Sequence, residues 1–165
     1  MASTQTWSEY NGASSVTETG TRAEANWKNI DDSTTAYTAS IITAGNNAFV
    51  KVQALKYAGV WNSLSAGTYK VSTAAPGTGQ TVVAAVIVAG ITSSATSSGY
   101  AAASTTGTAF NFNSSTTPFG AGTASTTASG TMYANAYATQ LQTTISSAPG
   151  DLTAAVTITA TWTES

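Results

Sequence analysis

The stretch LTAAVTITATWT, residues 152–163, decides the fold class of this chain. Its even-numbered residues are apolar, and its odd-numbered residues, apart from Ala155, are threonines. Successive side chains of a β-strand point to opposite faces of the sheet. The alternation therefore predicts a strand with one face in the core and a threonine ladder on the other. Helix signals elsewhere are weak, because Thr, Ser, Asn and Gly disfavour helices.

A second long strand is predicted immediately upstream, from about Thr131 to Ile145. Within it, Tyr133 and Tyr137 share the parity of Ile145, as they would on one face of a continuous strand. The intervening Ala148-Pro149-Gly150-Asp151 reads as a turn, with Pro and Gly suited to the two central positions of type II geometry. We expect the two strands to pair as a hairpin.

Further runs of β-branched, aromatic and other apolar residues occupy positions 48–61, 67–71 and 81–91, with Gly, Pro or Asn turns between them. Strands at this spacing predict an all-β fold with little or no helix: an antiparallel β-sandwich, jelly-roll or Ig-like, with Ser/Thr/Ala/Gly-rich loops. The length of 165 residues suits one domain. We predict a partly extended N-terminal arm over residues 1–30 and a single sandwich domain over residues 31–165.

Charge is distributed unevenly along the chain. It contains 5 Lys and Arg, 7 Asp and Glu, and no His or Cys, and no charged residue occurs from Val71 to Gly150. A neutral surface of small side chains suits packing against other protein subunits, because such side chains lose little entropy on burial. The net charge of −2 and the lack of a basic cluster argue against a nucleic-acid partner. The longest apolar run, Val82–Ile91, is about half the length needed to span a bilayer, so no membrane partner is predicted.

No group of residues in the sequence predicts catalysis. The absence of His and Cys removes the common zinc sites and the Ser–His and Cys–His pairs. The acidic cluster of Glu24 and Asp31-Asp32 is more typical of a turn than of a metal or glycosidase site. A Ser–Lys pair with Lys51, Lys56 or Lys70 stays formally open, although no spacing selects one. We therefore predict no enzyme, no catalytic residue, no cofactor and no metal.

The tryptophans divide into two groups by their neighbours. Trp61 and Trp162 have strand parity with apolar residues and are predicted to lie in the core. Trp7 and Tyr10 stand in a polar segment outside any clear apolar pattern, where large aromatic side chains often anchor a segment to a partner. We predict Trp7 and Tyr10, together with Trp27, as a partner interface, with packing on the domain's own surface as the alternative.

The threonine ladder of residues 157, 159, 161 and 163 leaves two interpretations open. Flat rows of threonines are found in many β-structured ice-binding proteins, and an ice plane needs at least two such rows side by side. Threonine is also simply a favoured polar strand residue, which would fill a solvent-facing or subunit-facing side of a sheet.

Three stretches together resemble a known group of proteins: WSEYNGA at 7–13, AGNNAFVK at 44–51, and QLQ at 140–142 followed by APGD at 148–151. They are similar to the small β-rich virion structural proteins of tailed bacteriophages. The likeness covers the first third and the last quarter of the chain, and Thr92–Ala128 departs from it into Ser/Thr/Ala-rich sequence.

The resemblance implies a capsid decoration, or cement, protein. Such a protein binds the lattice of the major capsid protein at the virion surface, after synthesis in the host cytoplasm; the opening MASTQTWSEY has no secretory-signal pattern. It also implies a homo-oligomer, with a trimer favoured. The charge asymmetry suggests that the charged N-terminal part faces the capsid and the uncharged part forms the intersubunit core.

Two alternatives keep other locations open. A tail, baseplate or fibre component in contact with the host would use exposed aromatic residues in loops, for which the sequence offers Tyr100, Phe110, Phe112 and Phe119. An ice-binding or surface-layer protein is the remaining alternative, and it rests on the threonine ladder.

Overall fold

The computed structural model of the chain describes residues 3–10, 18–20, 25, 27–31, 35–91, 100–113, 117–127, 130–147 and 156–165. Within these ranges the chain forms two antiparallel β-sheets and one three-residue 3-10 helix, Tyr37–Ala39. The predicted all-β antiparallel sandwich with little helix is confirmed. The strands are β1 Thr4–Tyr10, β2 Glu18–Gly20, β3 Lys51–Gly59, β4 Leu64–Val71, β5 Gln80–Ile87, β6 Ala101–Ala102, β7 Thr108–Ala109, β8 Phe112–Asn113, β9 Ser125–Thr126, β10 Gly130–Ala134, β11 Ala136–Thr143 and β12 Ile158–Glu164.

The larger sheet has eight strands. Six follow the order β2-β1-β3-β11-β5-β6, and β10 also pairs with β3 and, on its other side, with β8. The smaller sheet has four strands, in the order β12-β4-β7, with β9 also paired to β4. Strand β3 is central because it pairs with β1 along one edge. Along its other edge it pairs with β11 at residues 51–53 and with β10 at residues 56–59. Its residues between Lys51 and Leu55 are all buried, as expected for a strand covered on both faces.

The N-terminal segment differs from the predicted arm. Strand β1 pairs with β3 along its whole length, from Thr4 opposite Ala58 to Tyr10 opposite Val52. A strand that shares a full hydrogen-bond ladder with the centre of the larger sheet belongs to the sandwich. The predicted domain boundary at residue 30 therefore does not separate residues 3–10 from the rest of the fold.

The predicted hairpin between the last two strands is wrong. Strand β11 pairs with β3 and β5 in the larger sheet, whereas β12 pairs with β4 in the smaller sheet. The predicted turn at 148–151 lies outside the described residues. The alternation within β12 is confirmed, since Ile158, Ala160 and Trp162 pack against the core while the threonines between them are exposed.

The predicted continuous strand from 131 to 145 is interrupted at Asn135. Met132 and Tyr137 both face the sandwich interior although one is even-numbered and the other odd-numbered. One extra residue in a strand reverses the parity of everything beyond it, as in a β-bulge. Tyr133 and Tyr137 therefore lie on opposite faces of the larger sheet. Ile145, predicted on the same face as both, lies in the turn after β11 and is 90% exposed.

The interior between the two sheets contains a series of aromatic rings, each in contact with the next. Tyr69 of β4 stacks on Tyr137 with ring centroids 4.8 Å apart and lies 4.4 Å from Phe110. From Phe110 the contacts continue through Phe112 and Tyr57 to Trp162 in β12. Each full burial of a side chain of this size stabilises the fold by about 2 kcal/mol, so this cluster is a main source of sandwich stability.

A second, smaller apolar cluster lies on the opposite face of the larger sheet. Its buried members are Tyr10, Val50, Val52, Ala54, Ala136 and Ala138. Tyr100 and Phe119 pack against it from the loops, and Phe119 meets Tyr10 edge-on at 5.5 Å. The larger sheet therefore carries apolar packing on both faces in its central part.

Candidate functional site

The outer face of the smaller sheet carries an exposed row of threonines. Thr157, Thr159, Thr161 and Thr163 are all exposed along it. The hydroxyls of Thr161 and Thr68 in β4 are 2.7 Å apart, within hydrogen-bond distance. This face presents methyls and hydroxyls at strand spacing, which suits broad contact with another protein surface.

A second threonine row does not stand beside the first. Thr159 is opposite Lys70, Thr161 is opposite Thr68, and Thr163 is opposite Ser65. The register between β12 and β4 also shifts after Thr161, because Ala66 and Gly67 together oppose one residue of β12. The paired rows that an ice plane needs are thus not formed by these two strands.

Three charged side chains of the N-terminal half lie inside the fold. Glu9, Lys28 and Lys51 are each at most 2% exposed. The Lys51 ammonium faces the Glu9 carboxylate at 3.8 Å, and the Lys28 ammonium donates a hydrogen bond to the carbonyl of Thr35 at 2.5 Å. The expectation that the charged N-terminal part forms a capsid-facing surface is therefore wrong for these three residues, because burial removes them from any such surface.

Sequence reasoning missed this internal ion pair, although strand parity contains the signal. Glu9 has the parity of Trp7, and Lys51 has the parity of Leu55, so each charge is on the strand face that the apolar residues bury. The concentration of charged residues in the N-terminal half instead led to the expectation that they lie on the surface. Taking a charge out of water is costly, so such residues are normally buried only with a partner.

Some of the other described charged side chains also make contacts within the chain. The Lys56 ammonium lies over the ring of Tyr133, 5.5 Å from its centroid, a cation–π geometry. The Glu164 carboxylate accepts hydrogen bonds from the backbone and the hydroxyl of Ser3, at 2.7 and 2.6 Å. These bonds hold the pKa of Glu164 below its usual range. Within the described part of the chain, the surface is thus dominated by neutral hydrogen-bonding groups.

The three predicted interface residues pack within the chain itself. Tyr10 is buried in the smaller apolar cluster, and Trp27 is buried with its indole N–H donating to the Thr139 hydroxyl at 3.2 Å. Trp7 is half-buried against Tyr69, with ring centroids 5.8 Å apart. Trp7 and Tyr10 thus pack on the chain's own domain, which was the alternative prediction for them. A partner contact at these residues stays a prediction, for which Trp7 has the most exposed side chain of the three.

The loop aromatics proposed for host contact are also packed. Phe110 and Phe112 are buried in the sandwich interior, and Tyr100 and Phe119 are half-buried against the smaller cluster. Burial of its phenol raises the pKa of Tyr100. None of these four rings stands free on a loop, so the observation that favoured a host-contact role is removed.

An open cleft of about 610 Å³ lies beside strands β8 and β9, lined by Phe112, Asn113, Gly122, Thr123 and Ser125–Thr127. Its polar lining is hydroxyls and amide groups. Phe112 is only 1% exposed, so its ring cannot serve as a stacking platform for a sugar. The cleft therefore offers hydrogen bonds without the aromatic surface or charge that usually fixes a small ligand.

The acidic cluster singled out in the sequence falls only partly within the described ranges. Glu24 and Asp32 lie outside those ranges, and Asp31 is half-buried in a bend. Where the structure describes the chain, no three His, Cys, Asp or Glu side chains are grouped as metal ligands. Among the helices that it describes, none is long and apolar enough to cross a membrane.

Neither a known family model, nor a curated protein, nor a solved structure matches this chain.

Proposed function

We propose that this chain is a virion structural protein that acts by assembly, and that it serves as a capsid decoration protein. The observation that carries the proposal is the low charge of the described surface: Glu9, Lys28 and Lys51 are internal, and threonines line the exposed side of β12. The resemblance of residues 7–13, 44–51, 140–142 and 148–151 to small phage virion proteins supports a location in the virion.

The proposed mechanism is mass action on an assembled lattice. A decoration protein that binds the lattice but not the free capsid subunit stabilises the lattice by the free energy of binding, through thermodynamic linkage. Broad, flat contact suits this role better than a deep pocket, because the energy comes from many small contacts spread over the interface. A trimer at the junctions between capsomers is the arrangement that the resemblance implies.

The neutrality of the surface gives the proposal a distinctive salt dependence. Charged interfaces weaken as salt rises because screening shortens the range of Coulomb attraction. Contact through threonine hydroxyls, methyls and backbone groups has little charge to screen. We expect the affinity for capsids to change little between low and high salt.

The test is to mix the purified protein with DNA-filled and with empty expanded heads of the phage that carries it. Bound copies are counted by native mass measurement or by cryo-electron microscopy, with free capsid protein as the control. Hundreds of copies at capsomer junctions, and no binding to free capsid protein, are expected. A few copies at the tail would establish the tail alternative. Absence from heads and tails would overturn the virion role and make ice-recrystallisation and surface-layer assays the next step.

A further inference from the structure

As far as the described residues show them, strands β6, β7, β8 and β9 at the ends of the two sheets have two residues each, whereas β12 has seven. Within the described ranges β12 pairs with β4 on one side and with no strand on the other. Short end strands are one way in which proteins avoid edge-to-edge association, and β12 lacks this protection.

The hydrogen bonds of β12 identify which backbone groups face its open side. Ser72 donates to the carbonyl of Thr157 at 2.9 Å, and Ser165 donates to the carbonyl of Ser63 at 3.1 Å. In an antiparallel ladder every second residue turns both backbone groups toward the same neighbour. The odd-numbered residues therefore bond to β4, and the N–H and C=O groups of Ile158, Ala160 and Trp162 point to the open side.

The strand itself also lacks the charges, prolines and bulges that protect other edges. Residues 156–163 contain no charge and no proline, and the extra residue of the adjacent bulge is in β4 and not in β12. Glu164 is the one charged residue of the strand, and its carboxylate is bound by Ser3 at the start of β1. Lysines, prolines and bulges are the devices that normally keep edges apart, and none interrupts this strand.

We propose that the open edge of β12 is a self-association site, at which β12 of a second copy adds in antiparallel orientation about a two-fold axis. Centred on Ala160, this pairing places Ile158 opposite Trp162 of the second copy, so each open N–H meets a carbonyl. It also places Thr159 beside Thr161 of the second copy on the exposed face. The residues paired about this axis, 157–163 of each copy, are identical and uncharged, so no like charges meet.

A second copy is the occupant that the observations favour. A two-fold contact requires one patch that complements itself, and an uncharged strand with alternating threonines meets that requirement. The contact closes after two copies and predicts a dimer, not the trimer implied by the resemblance. It does not depend on capsid binding, and either role can fail without the other.

The test compares the purified chain with two lysine variants of the same sheet. In Thr159→Lys/Thr161→Lys, each new lysine would stand beside a lysine of the second copy. In the control, Ala109→Lys, the lysine is on exposed β7 at the far edge of the sheet. Analytical ultracentrifugation at high micromolar concentration should give twice the single-chain mass for the wild type and the control, and the single-chain mass for the double variant. A cooperative thermal melt of the double variant, at the temperature of the wild type diluted to the monomer, would show that it still folds.

Amide hydrogen exchange identifies the edge that is used. On dilution to the monomer, the amides of Ile158, Ala160 and Trp162 should lose their protection, while those of Thr159 and Thr161 should keep it. A monomeric wild type at high concentration would overturn the proposal. So would a dimer in which the even-numbered amides exchange as fast as in the monomer, because its interface would lie elsewhere.

The chain has no cysteine, so introduced cysteines report on register without background. Mixing Thr159→Cys with Thr161→Cys under oxidising conditions should give mainly the crossed disulfide dimer, since these positions face each other across the proposed axis. Equal amounts of crossed and uncrossed products would contradict this register.

Discussion

The hydroxyl of Tyr69 donates a hydrogen bond to the backbone carbonyl of Asn135 at 3.0 Å, across the interior from the smaller sheet to the larger one. The same hydroxyl accepts from the backbone N–H of Leu55 at 3.4 Å. Asn135 is the bulge residue between β10 and β11, where the ladder of β3 changes partner. One buried side chain of the smaller sheet therefore bridges an interruption in the larger sheet.

Removing this hydroxyl should be costly. Tyr69→Phe leaves the buried Asn135 carbonyl and Leu55 amide without this partner, and we expect a loss of about 1–3 kcal/mol in the free energy of unfolding. The matched control is Tyr137→Phe, because the Tyr137 hydroxyl is buried with no hydrogen-bond partner among the described groups. The control should be neutral or slightly stabilising. Denaturant unfolding measures both, and equal losses would contradict the bridging role.

Asn135 is also fixed through its own side chain. Its amide donates to the carbonyls of Pro118 and Gly120, at 3.2 and 2.8 Å, and its oxygen accepts from the Asn111 N–H at 3.1 Å. Asn135→Ala should cost about 2–4 kcal/mol, since several buried groups lose their partner together.

The control for this variant is Asn111→Ala, whose side chain makes an exposed bond to the carbonyl of Ala121. Because water can replace that bond, its loss should stay below about 1 kcal/mol. Thermal and urea unfolding report both values. If the two variants lose the same stability, the bulge is not held by the Asn135 side chain.

The buried pair of Glu9 and Lys51 predicts strong non-additivity. Lys51→Met or Glu9→Leu alone leaves one charge buried without its counterpart, and each should cost about 3–5 kcal/mol. The double variant should recover much of this loss, because an apolar pair needs no charge compensation in the interior. A double-mutant cycle by urea unfolding measures the coupling. Additive losses would show that the two side chains do not act as a pair.

Glu164 predicts a specific loss of stability in acid. Its pKa is lowered in the folded chain, first by the hydrogen bond from the Ser3 hydroxyl. A carboxyl with a lowered folded pKa stabilises the fold above its unfolded pKa, and this contribution disappears as the pH falls through the folded value. The wild type should therefore lose stability as the pH falls below about 4.5, the ordinary value of the group.

Two variants check this assignment in thermal melts between neutral and acidic pH. Ser3→Ala should flatten the acid limb, because it removes the bond that lowers the pKa. Ser63→Ala removes a neutral hydroxyl contact with Ser165 and should leave the limb unchanged. If Ser3→Ala keeps the full acid limb, another carboxyl is responsible.

Much of the local structure followed from residue patterns alone. The alternation in residues 156–163 determined a strand with threonines outward and apolar residues inward, and the structure confirms both faces. Alternation is readable from sequence because the side-chain period of a strand is two, whatever its neighbours. The sequence likewise predicted the two features of the candidate surface: the threonine row of β12 and the lack of charge from Val71 to Gly150.

Tertiary structure decided the rest, because pairing depends on residues far apart in the chain. Turn chemistry suggested that the last two strands form a hairpin, yet β11 and β12 lie in different sheets, and their Tyr137 and Trp162 pack into one core between the sheets. Parity could not locate the bulge at Asn135, since its bonds come from Asn111, Pro118 and Gly120. Likewise, no local pattern shows that β12 has one neighbour among the described strands, because an open edge is defined by where the other strands end.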